Sequence, residues 1–417
     1  MDKLIRNGVV IDGTGEVMED AVIAIKDGRI AAIGPADDFI GINAEQVIDA
    51  QGGHILPGLI DTHVHMMMEI KDMRESLVTP FSMRFYEALT YMKRTLDAGI
   101  TTVRDAGYAD LGVKQAIEKG LISGPRMQIS VNPLTITGGH GDNWMVSDMD
   151  LTNKAYPGFP SGICDGPEQV RQKTREMLRA GADIIKVHAT GGVMSPTDHP
   201  EFTQFSMEEL RIIVEEASYR KGRKVMAHAQ GAEGVKQAVR AGIHSIEHGI
   251  FLDDEAIELM LKHGTYLVPT LLAPVSVVEA SEANESMPAY AVDKAKEVME
   301  IHQRSVARAY EAGVKIAMGT DAGVFAHGTN LRELALMCDI GMSPMESILA
   351  TTKIAAECMG WEDRVGTITE GKLADIVIVR ENPLENIASL ANTDNIITVI
   401  QEGELKKQLT VEAGITG

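Results

Sequence analysis

Two histidines close the apolar stretch LPGLIDTHVHM, which runs from Leu56 to Met66. His63 and His65 are two residues apart, so in a β-strand both side chains would point to the same face. Two neutral imidazoles on one face can share a metal ion, whereas two protonated rings would repel each other. The pair by itself is as consistent with two hydrogen-bonded histidines at the end of a buried strand. The rest of the chain must decide between these interpretations.

Further strand-like runs carry or end in groups that can ligate a metal or move a proton. They are Lys186 in DIIKVHATGG, His228 in KVMAHAQG, His248 in IHSIEHG and Asp321 in KIAMGTDAG. Each such side chain is costly to bury unless it is paired or bound to a metal, and each one alone would be interpreted as structural. Histidines together with a carboxylate are the usual ligands of zinc and similar divalent ions. The set as a whole therefore predicts a metal site.

Lys186 needs a separate explanation, because an ammonium group only donates hydrogen bonds and cannot ligate a metal. Beside two cations its amine should lose its proton, since like charges lower the pKa of a lysine. A neutral amine can add carbon dioxide and become a carbamate, an anion whose two oxygens can bridge two metals. The alternative is a lysine paired with Asp or Glu, which the residue alone would favour. In this set of ligands we favour N6-carboxylysine.

The elements that must position these residues follow from the hydrophobic pattern. Eight short apolar runs alternate with amphipathic stretches such as 166–180, 206–221 and 232–241. This alternation predicts a (β/α)8 barrel, whose catalytic residues sit at the carboxyl ends of the strands. Both ends of the chain instead show short alternating runs and Gly-rich turns. We predict a barrel over residues 56–362 and a small β-sandwich formed by residues 1–55 and 363–417.

Composition excludes several classes of function. The net charge of −21 over 417 residues argues against nucleic acid as a partner, because nothing basic would neutralise phosphates. No apolar run approaches the ~18 residues that span a bilayer, and the opening MDKLIRNGVVIDGTGE lacks the features of a signal peptide. The three widely spaced cysteines imply no disulfide framework. We expect a cytoplasmic protein that binds a small-molecule substrate, touches no membrane and forms a homo-oligomer.

These motifs, in this order, resemble those of the amidohydrolase superfamily over nearly the whole chain. The similarity rests on PGLIDTHVH, IIKVHATGG, AHAQG, IEHG and GTDAG, and on the closing GTITEGKLADIVIV. The lysine resembles the one that marks the binuclear type. The sequence around it is most similar to the branch of Xaa-Pro dipeptidases, lysine/arginine carboxypeptidases and related amide, carbamate and urea hydrolases, a branch related to imidazolonepropionase.

The resemblance implies a role for each ligand. His63, His65 and Asp321 would hold one divalent ion, and His228 with His248 would hold a second. Carboxylated Lys186 would bridge the two ions together with a hydroxide derived from water. Zinc is the expected metal, although manganese, iron and cobalt take the same ligands. Asp321 could also accept the proton of the hydroxide and pass it to the leaving amine.

Three further residues are candidates for the substrate side of the site, and a fourth should support the ligands. His140 lies in the Gly-rich loop LTITGGHGDNW and resembles a position that contacts the substrate or the developing oxyanion. Gln230 stands where some members of the branch carry an aromatic residue or histidine, and its amide can bond a carbonyl or carboxylate. His327 follows the eighth run, at the same end of the predicted barrel as the proposed ligands. His188 should support the ligands rather than bind metal itself.

The sequence favours hydrolysis of an amide bond in a dipeptide, with Xaa-Pro cleavage or release of a C-terminal amino acid, or in an N-acyl amino acid. A carbamate, phenylurea, lactone or phosphotriester on the same binuclear site is the alternative enzyme function. A non-enzymatic scaffold of the same fold is the third interpretation, and the retention of all six ligands argues against it.

Overall fold

The computed structural model describes residues 1–70, 73–145, 147–152, 155–283 and 287–409. The N-terminal part contains strands and one 3-10 helix, as the alternating pattern predicts. Its strands are β1 (Lys3–Arg6), β2 (Val9–Ile11), β3 (Val17–Met18), β4 (Ala21–Lys26), β5 (Arg29–Pro35), β6 (Gln46–Asp49) and β7 (His54–Pro57). The 3-10 helix spans Ala36–Phe39. The C-terminal part adds β15 (Ile376–Val379), β16 (Ile396–Gln401), β17 (Glu404–Gln408) and a 3-10 helix at Ile387–Ala391.

The two ends of the chain meet in one sheet. A six-stranded sheet has the order β17-β16-β15-β7-β2-β3, so C-terminal β15 pairs with N-terminal β7. The remaining N-terminal strands form a second sheet with the order β5-β4-β1-β6. Ile5 and Ile23 of this second sheet share a hydrophobic cluster with Ile55 and Ile378 of the first. The β-rich segments therefore assemble with each other, as expected from the sequence, although residues 410–417 of the predicted segment lie outside the described residues.

The middle of the chain alternates strands with helices. Its strands are β8 (Leu59–Val64), β9 (Ile100–Asp105), β10 (Arg126–Ile129), β11 (Ile185–His188), β12 (Val225–Ala229), β13 (Ser245–His248) and β14 (Tyr266–Val268). The helices are α1 (Met73–Val78), α2 (Met83–Asp97), α3 (Leu111–Glu118), α4 (Gly166–Arg179), α5 (Met207–Ser218), α6 (Ala232–Ala241), α7 (Asp254–His263), α8 (Leu272–Glu282), α9 (Ala289–Glu311), α10 (Arg332–Asp339), α11 (Pro344–Ala350) and α12 (Lys353–Met359).

The central strands are parallel and follow chain order. One sheet has the order β10-β9-β8 and another β11-β12-β13-β14. A bridge between Leu134 and Val187 connects these two sheets. Every residue of β8, β9, β11, β12, β13 and β14 is buried, as expected for parallel strands that are covered on both faces.

The eighth apolar run differs from the others because residues 315–323, all described, contain no strand. Single parallel bridges join it to its neighbours, Ile316 to Leu267 and Ala322 to Val64. Asp321 in this segment has a left-handed backbone with φ of 64°. The eighth run is less regular than the sequence predicts, but it lies between the seventh strand and the first, as expected for the eighth strand of a barrel.

The predicted helices are present with small shifts at their ends. Stretches 166–180, 206–221 and 232–241 correspond to α4, α5 and α6. A reciprocal capping box between Ser206 and Glu209 starts α5, and Gly242 in a left-handed conformation ends α6. Within the described chain, no helix is both long and apolar enough to cross a membrane.

Candidate metal centre

The end of β8 and the eighth run meet at a group of three ligand atoms. Nε2 of His65 lies 3.1 Å from Oδ1 of Asp321, and Nε2 of His63 lies 3.4 Å from the same oxygen. One ligand atom from each residue falls within 4.8 Å of the other two. Asp321 has a positive φ, an uncommon backbone conformation for a residue with a side chain and one that clusters at functional sites. The structure therefore brings together three residues that are far apart in the sequence.

The other ring nitrogen of each histidine is already bonded to the protein. Nδ1 of His63 lies 2.7 Å from Oε2 of Glu247, and Nδ1 of His65 lies 3.2 Å from the Gly107 carbonyl oxygen. A neutral ring that donates its proton through Nδ1 keeps a lone pair on Nε2. Both lone pairs then face the Asp321 carboxylate. Such a convergence of three electron-rich atoms is stabilised by a cation and by little else, so the donor set fits a divalent metal.

His228 and His248 stand beside this group. Their ring centroids are 4.5 Å apart, and the His248 ring is 5.2 Å from that of His63. Nε2 of His228 bonds the Gly191 carbonyl at 2.9 Å, and Nδ1 of His248 bonds the Thr270 hydroxyl at 2.6 Å. These bonds leave Nδ1 of His228 and Nε2 of His248 as the nitrogens that can take a metal. Burial holds the pKa of both rings well below the ordinary value, which keeps their lone pairs available.

Lys186 lies against the first histidine. Its Nζ is 3.3 Å from Nε2 of His63, and the residue is 1% exposed. Burial lowers the pKa of Lys186 to about 8, although the nearby Glu247 carboxylate opposes the shift. The neutral amine, the form that adds to carbon dioxide, is therefore easier to reach near neutral pH than in an ordinary lysine.

A buried ion pair beneath the histidines was missed by the sequence analysis. Arg104 and Glu247 are both 0% exposed, and Nη2 of Arg104 donates to Oε1 of Glu247 at 3.0 Å. Burial by itself would raise the pKa of Glu247, but Arg104 and His63 bring it down to about 2. The pair holds the His63 ring and fixes its tautomer. The sequence feature that could have revealed this pair is Arg104 itself, a charged residue inside the apolar run TTVRDAG.

Two further buried carboxylates hold the backbone around the site. Asp61 accepts the Thr320 hydroxyl proton at 2.6 Å and the Asn330 amide at 2.8 Å, which ties β8 to the segment that carries Asp321. Asp105 accepts the backbone N–H of Met66 at 2.8 Å. Burial raises the pKa of each of these aspartates to about 6. The sequence analysis assigned neither residue a role, although Asp61 precedes His63 by two positions and was therefore detectable.

His140 lies over the second pair of histidines. Its ring stacks on that of His228 with 4.2 Å between centroids, and its Nδ1 lies 2.8 Å from the Ser195 hydroxyl. Burial lowers the pKa of His140, so the neutral ring predominates at neutral pH. His188 is packed edge-on against both rings, at 5.0 Å from His140 and 5.4 Å from His228.

A cavity opens above these rings. It is lined on its polar side by His140, His228, Gln230, His248, Thr270, His302 and Asp321, and on its apolar side by Val193, Met194, Ile250, Ala273, Pro274, Val277 and Val324. Gln230 is 4% exposed, and its Oε1 has no hydrogen-bond partner among the described residues. This oxygen is an acceptor, so it requires a hydrogen-bond donor, which an N–H group of a bound substrate can supply.

His327 lies away from this cavity. Its ring stacks on Tyr91 with 5.1 Å between centroids, and its Nε2 donates to the Met68 carbonyl at 2.9 Å. The backbone N–H of His327 donates to Oε1 of Glu69. These contacts tie the eighth run to the loop after β8, and they account for the side chain without a substrate.

The comparisons with known proteins agree with this geometry. Residues 54–406 match the family described as "Amidohydrolase family". Ochratoxinase of Aspergillus niger is 35% identical over 425 residues, which cover 97% of this chain and 86% of that protein. A structure described as a Xaa-Pro dipeptidase with bound methionine in the active site is 37% identical, with a TM-score of 0.87 and coverage of 97% of this chain and 99% of that one. A prolidase complexed with N-methylphosphonate-L-proline is 34% identical, with a TM-score of 0.88 and coverage of 98% and 100%.

The fold and the histidine–carboxylate group define a hydrolase of the class that typically binds divalent metals. The chain belongs to the amidohydrolase family. Within that family the similarity to ochratoxinase and the dipeptidases identifies it as an enzyme that hydrolyses amide C–N bonds. A small-molecule substrate follows from this activity.

Proposed function

We propose that the protein is a binuclear metal-dependent hydrolase that cleaves an amide bond. Its substrate is a dipeptide, with Xaa-Pro cleavage or release of the C-terminal amino acid, or an N-acyl amino acid. One observation carries the proposal. The rings of His63, His65, His228 and His248 each have one nitrogen bonded to a group that is not a proposed ligand. The second nitrogens of His63 and His65 lie 3.4 Å and 3.1 Å from Oδ1 of Asp321, and Nζ of Lys186 lies 3.3 Å from Nε2 of His63. The names of the relatives, ochratoxinase and Xaa-Pro dipeptidase, support an amide substrate of this size.

In this proposal His63, His65 and Asp321 would hold one zinc ion, and His228 and His248 would hold the other. The neutral Lys186 amine would add carbon dioxide, forming one N–C bond while one C=O π bond becomes the carboxylate and one proton is released, and the carbamate would supply an anionic ligand between the two groups of residues. Bound metal ions would lower the pKa of a coordinated water and polarise the scissile carbonyl. Asp321 accepts the proton of the attacking water and delivers it to the nitrogen of the leaving amine.

We also propose the architecture and domain bounds that the sequence predicts. The parallel pairings from β8 to β14, with the bridges at the eighth run, support a closed (β/α)8 barrel over residues 56–362. The shared hydrophobic cluster supports a β-sandwich built from residues 1–55 and 363–417. Residence in the cytoplasm and assembly into a homo-oligomer remain predictions.

The cavity suggests how a substrate would lie. Its apolar wall suits an uncharged side chain, and the Gln230 amide can bond a carboxylate or a carbonyl. His140 would contact the substrate through Nε2, because Nδ1 is engaged by Ser195. We propose that His327 affects substrate binding only indirectly, through the loops that its contacts join.

Metal content tests the binuclear site directly. Enzyme purified with added zinc should contain about two equivalents per chain by elemental analysis, as two-metal hydrolases do. His228→Ala should lose about one equivalent, because it removes a ligand of the second site only. His263→Ala, at an exposed position at the end of α7, should retain the wild-type content. A wild-type value near one, with a crystal structure showing unmodified Lys186, would exclude the bridging carbamate.

The substrate residues are tested with matched substrates. His140→Ala and Gln230→Ala should each lower kcat/KM by about tenfold or more, the scale of a lost buried hydrogen bond. Metal content should not change, because neither residue is a proposed ligand. The comparison is between a substrate with a free carboxylate and its amide. If Gln230→Ala discriminates between the two as the wild type does, the carboxylate is bound elsewhere and the carbamate or urea function gains support.

A further inference from the structure

The loop after β11 carries a second polar network that none of the proposed metal ligands uses. Ser195 is 1% exposed and Asp198 is 7% exposed. The Ser195 hydroxyl donates to the Asp198 carboxylate, and its oxygen lies 2.8 Å from Nδ1 of His140. The other Asp198 oxygen accepts the Gln204 amide at 3.0 Å, and Gln204 in turn accepts the backbone N–H of His140 at 3.1 Å. Both the ring and the backbone of His140 are therefore held from this loop.

A lysine on α9 fixes the loop itself. Nζ of Lys294 donates to three backbone carbonyls, those of Gly192 at 3.0 Å, Ser195 at 2.8 Å and Asp198 at 2.6 Å. These bonds use all three protons of an ammonium group. Because the ammonium group donates hydrogen bonds to three carbonyls of one short loop, it fixes the shape of that loop.

The backbone of the loop also supports the His140 ring from below. A Cβ added to Gly192 would lie 2.3 Å from Cε1 and 2.6 Å from Nδ1 of His140, so only glycine allows the ring to lie at this depth. The opposite side of the ring stacks on His228. His140 is thus enclosed between a glycine backbone and a proposed metal ligand, with its Nδ1 directed at Ser195.

We propose that Ser195, Asp198 and Lys294 are positioning residues for His140, which set its ring orientation and its tautomer. The single hydroxyl proton of Ser195 goes to Asp198, so the serine oxygen accepts the Nδ1 proton of His140. Nε2 is then the nitrogen presented to the cavity, with its lone pair available to a hydrogen-bond donor of the substrate. This inference rests on the proposed contact between His140 and the substrate.

A double-mutant cycle tests the coupling to His140. Ser195→Ala alone should lower kcat/KM by about fivefold to tenfold, while in a His140→Ala background it should change kcat/KM by less than about twofold, because coupled residues are not additive. Lys294→Met should show the same dependence on His140. Lys296→Met replaces an exposed lysine on the same helix and should leave kcat/KM unchanged in both the wild-type and the His140→Ala background. Equal losses from Ser195→Ala in both backgrounds would show that it acts independently of His140 and would overturn the inference.

A second measurement separates this inference from the proposed function. The ¹⁵N chemical shifts of the zinc-loaded protein should show His140 as the Nδ1–H tautomer, and Ser195→Ala should shift the ring to a mixture. This readout needs no substrate. If His140→Ala lowers kcat/KM but Ser195→Ala leaves the tautomer and the rate unchanged, the positioning role fails and the function stands. If His140→Ala has no effect while the tautomer depends on Ser195, the substrate contact fails and the network is structural only.

Discussion

Replacing Asp321 with asparagine should lower kcat by at least ~10²-fold in metal-loaded enzyme, the usual scale for a lost general acid–base group. Asparagine keeps the size of the side chain but cannot accept a proton at neutral pH. KM should change much less, because proton transfer occurs after the substrate binds. Some metal should be lost as well, since Oδ1 of Asp321 lies within 3.4 Å of Nε2 of both His63 and His65. The assay must therefore be normalised to metal content.

Asp339→Asn is the matched control, because Asp339 is exposed at the end of α10 and the same chemical change there should leave kcat unaltered. Single-turnover measurements would separate chemistry from product release. Near-normal turnover by an Asp321→Asn enzyme that holds the wild-type amount of metal would show that another group carries the proton.

Glu247→Gln should destabilise the protein by about 3–5 kcal/mol, the range observed when one partner of a buried ion pair is removed. The variant leaves the guanidinium of Arg104 fully buried, with a neutral amide in place of the carboxylate that paired with it. It also weakens the bond that holds Nδ1 of His63, so metal affinity should fall by about 10-fold to 100-fold. Equilibrium unfolding in urea and metal titration measure the two effects separately.

An exposed ion pair provides the comparison. Glu279→Gln breaks the pair between Glu279 and Arg332 on the surface and should cost no more than about 1 kcal/mol. The double variant Arg104→Met/Glu247→Gln should recover part of the stability, since it no longer leaves a buried charge unpaired. A Glu247→Gln protein with wild-type stability and metal affinity would show that the pair neither supports the fold nor orients His63.

The sequence by itself determined which residues cluster at the site. Histidines, a lysine and an aspartate at the ends of apolar runs come together when those runs are parallel strands whose carboxyl ends face the same way, and local periodicity reveals such runs. His63, His65 and Asp321 accordingly meet within 4.8 Å. The family was evident from the same motifs, and the match over residues 54–406 confirms it. The pairing of the chain ends was also predictable, because half-buried strands need partners.

Only the tertiary structure decided what holds these residues in place. Arg104 and His63, which pair with Glu247, come from other strands, and the Thr320 and Asn330 side chains that bond Asp61 lie 259 and 269 positions away along the chain. Hydrogen bonds across such separations leave no local periodicity to detect. The left-handed backbone of Asp321 and the contacts of His327 with Tyr91 and the Met68 carbonyl also depend on how distant segments pack. Residue type and spacing determine which groups can react, whereas packing between distant segments determines their orientation, their pKa values and which ring nitrogen is free.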